Sequence, residues 1–259
     1  MSFILFVNLL RNNFFTFTFS ISVVTKRLGK KILQFTSFIF LGSLLHIAST
    51  VIGFIVIASQ SDNGLKDVAV FTIATYLVAL MDIPLRSMTG IATAEISQAW
   101  KDKDVKKIDE MYRKTALTLL IAGLFIFGLV LLNASNIATY LGKSYDGINY
   151  IILVLGISKL IDLGAGLNAQ ILLSSKYWKI DFYTQLVLVV CIFGLNYWLV
   201  VKYGIMGSAF ASLISFFVYN LIRFFYLKYL FKLQPFSSKN FFAILLAFCC
   251  FLSVWIIPF

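Results

Sequence analysis

Among the charged residues inside stretches that are otherwise apolar, Asp82, Arg86, Lys159 and Asp162 stand out. A charge held at mid-membrane costs about 2.5–3.5 kcal/mol on insertion scales, so such groups turn toward other helices or toward water. There they either neutralise one another or attract an ion or a charged ligand. Asp82 and Arg86 are four residues apart and Lys159 and Asp162 three apart. Both spacings put an acid and a base on one face of a helix. Lining of a site and a purely structural ion pair both fit that spacing, and the two do not exclude each other. Gln170 shares the Lys159 face. His46 shares a face with Thr36, Ser43, Thr50 and Gly53. A lone His in such a helix more simply hydrogen-bonds a neighbouring helix. With one His, and with Cys191, Cys249 and Cys250 all inside apolar runs, no metal centre, disulfide framework or cofactor is expected.

The elements that must position these residues are membrane spans. The chain has 259 residues, 60% hydrophobic and 13% charged, about half the charge fraction of a soluble protein. Its apolar runs exceed what a soluble core helix needs. The stretch from Val68 to Ala99 is the most informative. Thr72, Thr75, Ala79, Asp82, Arg86, Thr89, Thr93 and Ser97 fall on one face at helical periodicity, and the other faces are apolar. Pro84 has no N–H for the carbonyl of Leu80 and predicts a kink beside the charges. Kinked helices next to intramembrane charge are a common site element in transporters.

Seven spans are expected: about Leu33 to Ser59, Val68 to Ala99, Thr115 to Leu132, Gly147 to Ser174, Asp181 to Val201, Ile205 to Leu227 and Asn240 to Ile257. Residues 1–32 read as an N-terminal remnant span or linker with a basic cluster, and 33–259 as the helix bundle. No A-x-A-like cleavage site follows the first apolar stretch, so no cleaved signal is expected. Asp67 and Asp146 stand where helix caps are needed, and Asp62-Asn63-Gly64 is turn chemistry. Trp100 to Thr115 predicts a short surface helix, with Asp102/Lys106, Asp109/Arg113 and Glu110/Lys114 four apart and a thin apolar edge of Val105, Ile108 and Tyr112. Gly164 and Gly166 allow another backbone close. Gly204, Ser208 and Ser212, flanked by Gly207, Ala211 and Ser215, form a close-packing ladder.

The net charge of +11 does not point to nucleic acid, because the basic residues sit between apolar runs. Alternate connections carry them: 26–31, 101–114, 176–179 and 223–239 are rich in Lys and Arg. The other side has only Lys66, Lys143 and Lys202. The rich side is therefore cytoplasmic. Arg86 and Lys159 are left over inside spans.

The run MDIPLRSMTGIATAEISQAWKDKD resembles the charged, proline-kinked second helix of the C-terminal half of bacterial oligosaccharide flippases. These are Wzx-like polysaccharide biosynthesis proteins of the multidrug/oligosaccharidyl-lipid/polysaccharide exporter superfamily. The resemblance continues through GISKLIDLGAGLNAQILLSSKYWK and YGIMGSAFASLISFFVYNLIRFFYLKYLFKLQPF, and more weakly through FIFLGSLLHIASTVIGFIVIA, covering about residues 26–258. It implies an all-α, multi-pass bundle in the bacterial cytoplasmic membrane, matching one six-helix half plus one helix of a two-half transporter. The implied activity is flipping of an undecaprenyl-pyrophosphate-linked sugar for surface polysaccharide, O-antigen or lipopolysaccharide. Implied partners are the lipid bilayer, the lipid-linked oligosaccharide, and a separate N-terminal-half polypeptide or a second copy. Arg86 and Lys159 would attract the pyrophosphate, while Asp82 and Asp162 balance them. A drug antiporter of the same superfamily would favour acids without basic neighbours. A non-transporting assembly subunit also fits a single half. A membrane enzyme would need a catalytic constellation, and the loops on the sparsely basic side are only about 3–15 residues long.

Overall fold

The computed structural model describes residues 26–61, 63–142, 145 and 147–256, with side chains through 253. The expectations for residues 1–24 and the cap at Asp146 lie outside the described residues. The described chain is all-helical, running α1 (Lys26–Gln60), α2 (Leu65–Ala79), a 3-10 turn (Leu80–Asp82), α3 (Ile83–Lys101), α4 (Val105–Leu141), α5 (Ile148–Gly164), α6 (Asn168–Ser174), α7 (Lys179–Tyr203), α8 (Ile205–Phe231) and α9 (Ser238–Ile256). The chain divides into two compact units, Met1–Phe40 and Leu41–Phe259. Described residues of the first unit are the opening turns of α1. The second unit holds the rest.

These helices form a polytopic membrane bundle. Among the described residues, α1, the composite Leu65–Lys101, α4, α7 and α8 are long and apolar enough to cross a bilayer. The pair α5 and α6 makes a sixth span when the two bent pieces are taken as one, and α9 is apolar over a shorter Ser238–Ser253 stretch. Helical segments thus stand at all seven expected positions, while length and hydropathy support five or six as spans. Phe125, Val190, Phe193, Phe217 and Phe225 point outward. A soluble protein avoids such a continuous apolar exterior, whereas lipid requires it.

Several boundaries differ from expectation. The surface helix and the third span are one helix, α4, which also runs past Leu132 to Leu141. Asp104 caps it by accepting from the Lys107 N–H at 3.0 Å. The turn at 102–104, with Lys103 at φ +59°, separates Asp102 from Lys106, so that pair does not form. Asp102 instead accepts from the Gln98 amide at 3.0 Å. Asp109–Arg113 and Glu110–Lys114 do form, at 2.9 and 3.7 Å. Ile108 and Tyr112 are not a thin edge but core, packed with Ile96, Leu167, Ile171 and Leu227. Gly64 rather than Asp67 occupies the cap of α2, and the Asp67 carboxylate accepts from the Ser61 hydroxyl instead.

Two close approaches fix the bundle where lipid offers no hydrophobic drive between helices. Gly204, at φ +55°, turns α7 into α8. A Cβ on Gly207 would lie 2.1 Å from the Leu199 carbonyl oxygen. The small-residue ladder therefore packs α8 against α7, with Ser208, Ala211 and Ser215 fully buried. Gly166, at φ +61°, brings the α5–α6 break against the backbone of Ala116 on α4.

Candidate functional site

The kink expected at Pro84 is a short 3-10 turn just before it. Pro84 sits in the first turn of α3, where a missing N–H is harmless. The Leu80 carbonyl that it leaves without a partner accepts from the Ile83 N–H instead. The polar stripe of α2 and α3 keeps its hydroxyls satisfied internally. Thr72, Thr75, Thr89, Thr93 and Ser97 each donate to the carbonyl four residues back at 2.7–2.8 Å.

This stripe opens on a cavity of about 290 Å³. His46, Asp82, Arg86 and Lys159 all line it, so four of the residues singled out from sequence converge. Asp82 does not pair with Arg86. Its carboxylate lies 2.6 Å from the Lys159 ammonium, which is also 3.2 Å from Asp162. Lys159 therefore bridges acids from two helices. Arg86 makes no ion pair among the described residues, and its side chain is exposed. Gln170 does not join the group. The helix breaks at 165–167 and bends by 42°, which removes it from the Lys159 face.

Asn168 leads to a part of the site that the sequence did not reveal. From Asp162, the Asn220 amide donates at 3.1 Å, and the Asn168 amide donates to Asn220 at 2.8 Å. Arg223 Nη1 then donates to Asn168 at 3.1 Å, and its Nε donates to Thr184 at 3.0 Å. The guanidinium also pairs with Asp181 and lies 4.1 Å over the Tyr219 ring. Asp82, Lys159, Asp162, Asn220, Asn168, Arg223 and Asp181 form one continuous polar chain across the bundle. Its five charges leave an excess of one negative. Arg223 is 1% exposed. Read from sequence it belongs to the cytoplasmic basic run, because Lys228, Lys232 and Lys239 follow it. The cue available was Arg223 at helical spacing from Tyr219 and Asn220.

No family model matches this chain, and no solved structure does. The chain is similar to the capsular polysaccharide biosynthesis protein CapF of Staphylococcus aureus, 24% identical over 170 residues. The match covers 65% of this chain and 43% of that protein, so the chain corresponds to less than half of its relative's length. The long apolar helices by themselves make this a multi-pass membrane protein.

Proposed function

We propose that this chain forms one half of a transporter that flips lipid-linked oligosaccharide across the bacterial cytoplasmic membrane for surface polysaccharide, and that it is not an enzyme. The observation that carries this reading is the cavity where Arg86 and Lys159 meet inside apolar helices. A pyrophosphate is anionic, and in a low-dielectric cavity two cations attract it far more strongly than in water. Asp82 and Asp162 neutralise Lys159 while the cavity is empty, which keeps an uncompensated charge out of the membrane. Arg86, which lines the cavity and makes no ion pair among the described residues, is free to meet an entering phosphate. A cavity for cationic drugs would instead present free acids, whereas here both acids are engaged by a base.

The test is deletion of the gene in its source strain, followed by complementation. Deletion should abolish surface polysaccharide while lipid-linked oligosaccharide accumulates inside. Arg86→Ala should reach the membrane at normal levels and yet restore less than about a tenth of export, since one charge-assisted hydrogen bond is worth about 1.5–3 kcal/mol. Arg86→Lys should retain part. Normal export by Arg86→Ala would remove the site role from this residue.

A further inference from the structure

We propose that the groove between α4 and α9 binds one anionic phospholipid from the leaflet on the basic side, with an acyl chain along the groove and the phosphate on Lys239. The groove shares no lining residue with the cavity at Lys159, and the proposal does not depend on the flippase reading. It encloses about 620 Å³, more than twice the volume of that cavity. One wall is α4, from Leu117 through Phe125 to Leu132, and the other is α9, from Phe242 through Leu246 to Phe251. Among the described residues that line it, Lys239 alone is charged. Just before α9, the Gln234 N–H donates to Asp109 in the first turns of α4 at 3.5 Å, so both helices set out from the same, basic side. Lys239 therefore stands at the interfacial mouth. The two walls run for roughly 18–22 Å along their helix axes, against about 15 Å for half of a hydrocarbon core. That length suits one acyl chain anchored by its headgroup at the mouth.

Any apolar helix face meets lipid, but this one is built differently. It is concave: Gly128, midway along α4, leaves a notch in which a Cβ would meet nothing within 4 Å. It also lies beside a helix that is held on one side. α9 packs chiefly against α4, and among its described side chains only Asn240 is buried. Between helices in a bilayer, association rests on close packing, because lipid tails are as apolar as leucine. A chain seated in the groove touches both helices at once and supplies packing that α9 lacks. The headgroup choice follows from the mouth. Lys239 is exposed and makes no ion pair among the described residues. Lys114, about one turn before Leu117, is already engaged by Glu110 at 3.7 Å. A free ammonium at the interfacial end of an apolar slot matches a lipid phosphate whose own tail fills the slot. An apolar helix of a partner protein would instead cover that ammonium without supplying a counter-charge, which is costly.

The experiment is native mass spectrometry of the purified full chain in mild detergent, titrated with dioleoyl-phosphatidylglycerol and with dioleoyl-phosphatidylcholine. The wild type should retain one phosphatidylglycerol about fivefold more tightly than phosphatidylcholine, the value of roughly one lysine at an anionic headgroup. Lys239→Gln should bring that ratio toward one. Lys106→Gln, which removes an exposed charge on the same side outside the groove, should leave the ratio in place. Gly128→Leu keeps Lys239 but fills the notch, and should weaken both lipids together. Its side chain enters open space, so the variant should fold. Equal retention of the two lipids by the wild type, a preference that survives Lys239→Gln, or binding untouched by Gly128→Leu would each overturn the site. A dimer that excludes lipid and is dissociated by Gly128→Leu would assign the groove to a second copy of this chain and overturn it as well.

Discussion

Arg223 carries a full charge at 1% exposure, and each of its three guanidinium nitrogens has a specific partner. Removing one member of such a buried pair leaves the other charged and unsatisfied, which costs about 3–5 kcal/mol. Arg223→Ala should lower stability by that amount in thermal unfolding of the detergent-solubilised protein. Arg223→Met combined with Asp181→Leu should recover much of the loss, because an apolar pair of similar volume avoids the desolvation. Recovery stays incomplete, since Asn168 and Thr184 still lose their donor. Arg86→Ala should leave the melting temperature nearly unchanged, because Arg86 makes no ion pair among the described residues. At this scale the sequence was partly legible. A charge inside an apolar run declares itself, so Asp82, Arg86, Lys159 and Asp162 could be named, and Lys159–Asp162 could be paired by spacing. The pairing of Asp82 with Lys159 could not be read, because 77 residues separate them and helix periodicity compares only neighbours. Arg223 was hidden by the lysines after it.

Helix breaks position these residues, and only one of the two breaks has a sequence marker. Pro84 announces the first. The second, at 165–167, turns Asn168 toward Arg223 and Asn220. It has no proline, and its glycines read equally as a packing surface inside an unbroken span. The broken end is anchored from outside itself: Trp100 Nε1 on α3 donates to the Ile171 carbonyl at 3.3 Å, and Ser97 contacts Ser174 at 3.2 Å. Gly166 is the residue that the break depends on. A Cβ there would lie 3.0 Å from the Ala116 Cβ, on a backbone at φ +61°. Gly166→Ala should therefore cost about 1–3 kcal/mol, measured by thermal unfolding. Adding Ala116→Gly removes the Cβ contact but neither the 3.2 Å approach to the backbone at 116 nor the left-handed backbone, so the double variant should recover only part of the loss. Full recovery would show that crowding alone, and not the backbone angle, fixes the break.

For the whole molecule, the pattern of basic loops and the bundle make connected predictions. The basic side predicts that a cysteine at Lys103, in a cysteine-free background, is protected from an impermeant thiol reagent in intact cells, while cysteines at Ser61 and Tyr140 react. Labelling at 103 with silence at the other two would reverse the orientation. The fold class was legible at this scale because lipid allows few solutions: long apolar runs in a bilayer become helices, and charge bias orders them. What covers the site was not legible, since a stripe that faces a cavity and one that faces a partner chain have the same periodicity. In the structure that stripe is only partly covered. Asp82, Thr89 and Thr93 are half-buried, and Arg86 and Ser97 are exposed. Hydroxyls on this face are satisfied by their own helix, but Arg86 makes no ion pair among the described residues, and a charge turned toward hydrocarbon is costly. The relative that this chain resembles is more than twice as long as the matched region. A second polypeptide half, or a second copy of this chain, would place a polar face opposite Arg86. We therefore expect a cysteine at Thr89 to cross-link in membranes, either to a copy of itself or to a first-half polypeptide encoded nearby. We also expect that the chain expressed alone in a flippase-deficient strain does not restore surface polysaccharide, and that co-expression of the first half does. Full export by a chain that stays monomeric under cross-linking would show that these helices close around the substrate unaided, with Arg86 facing water inside the bundle rather than a partner.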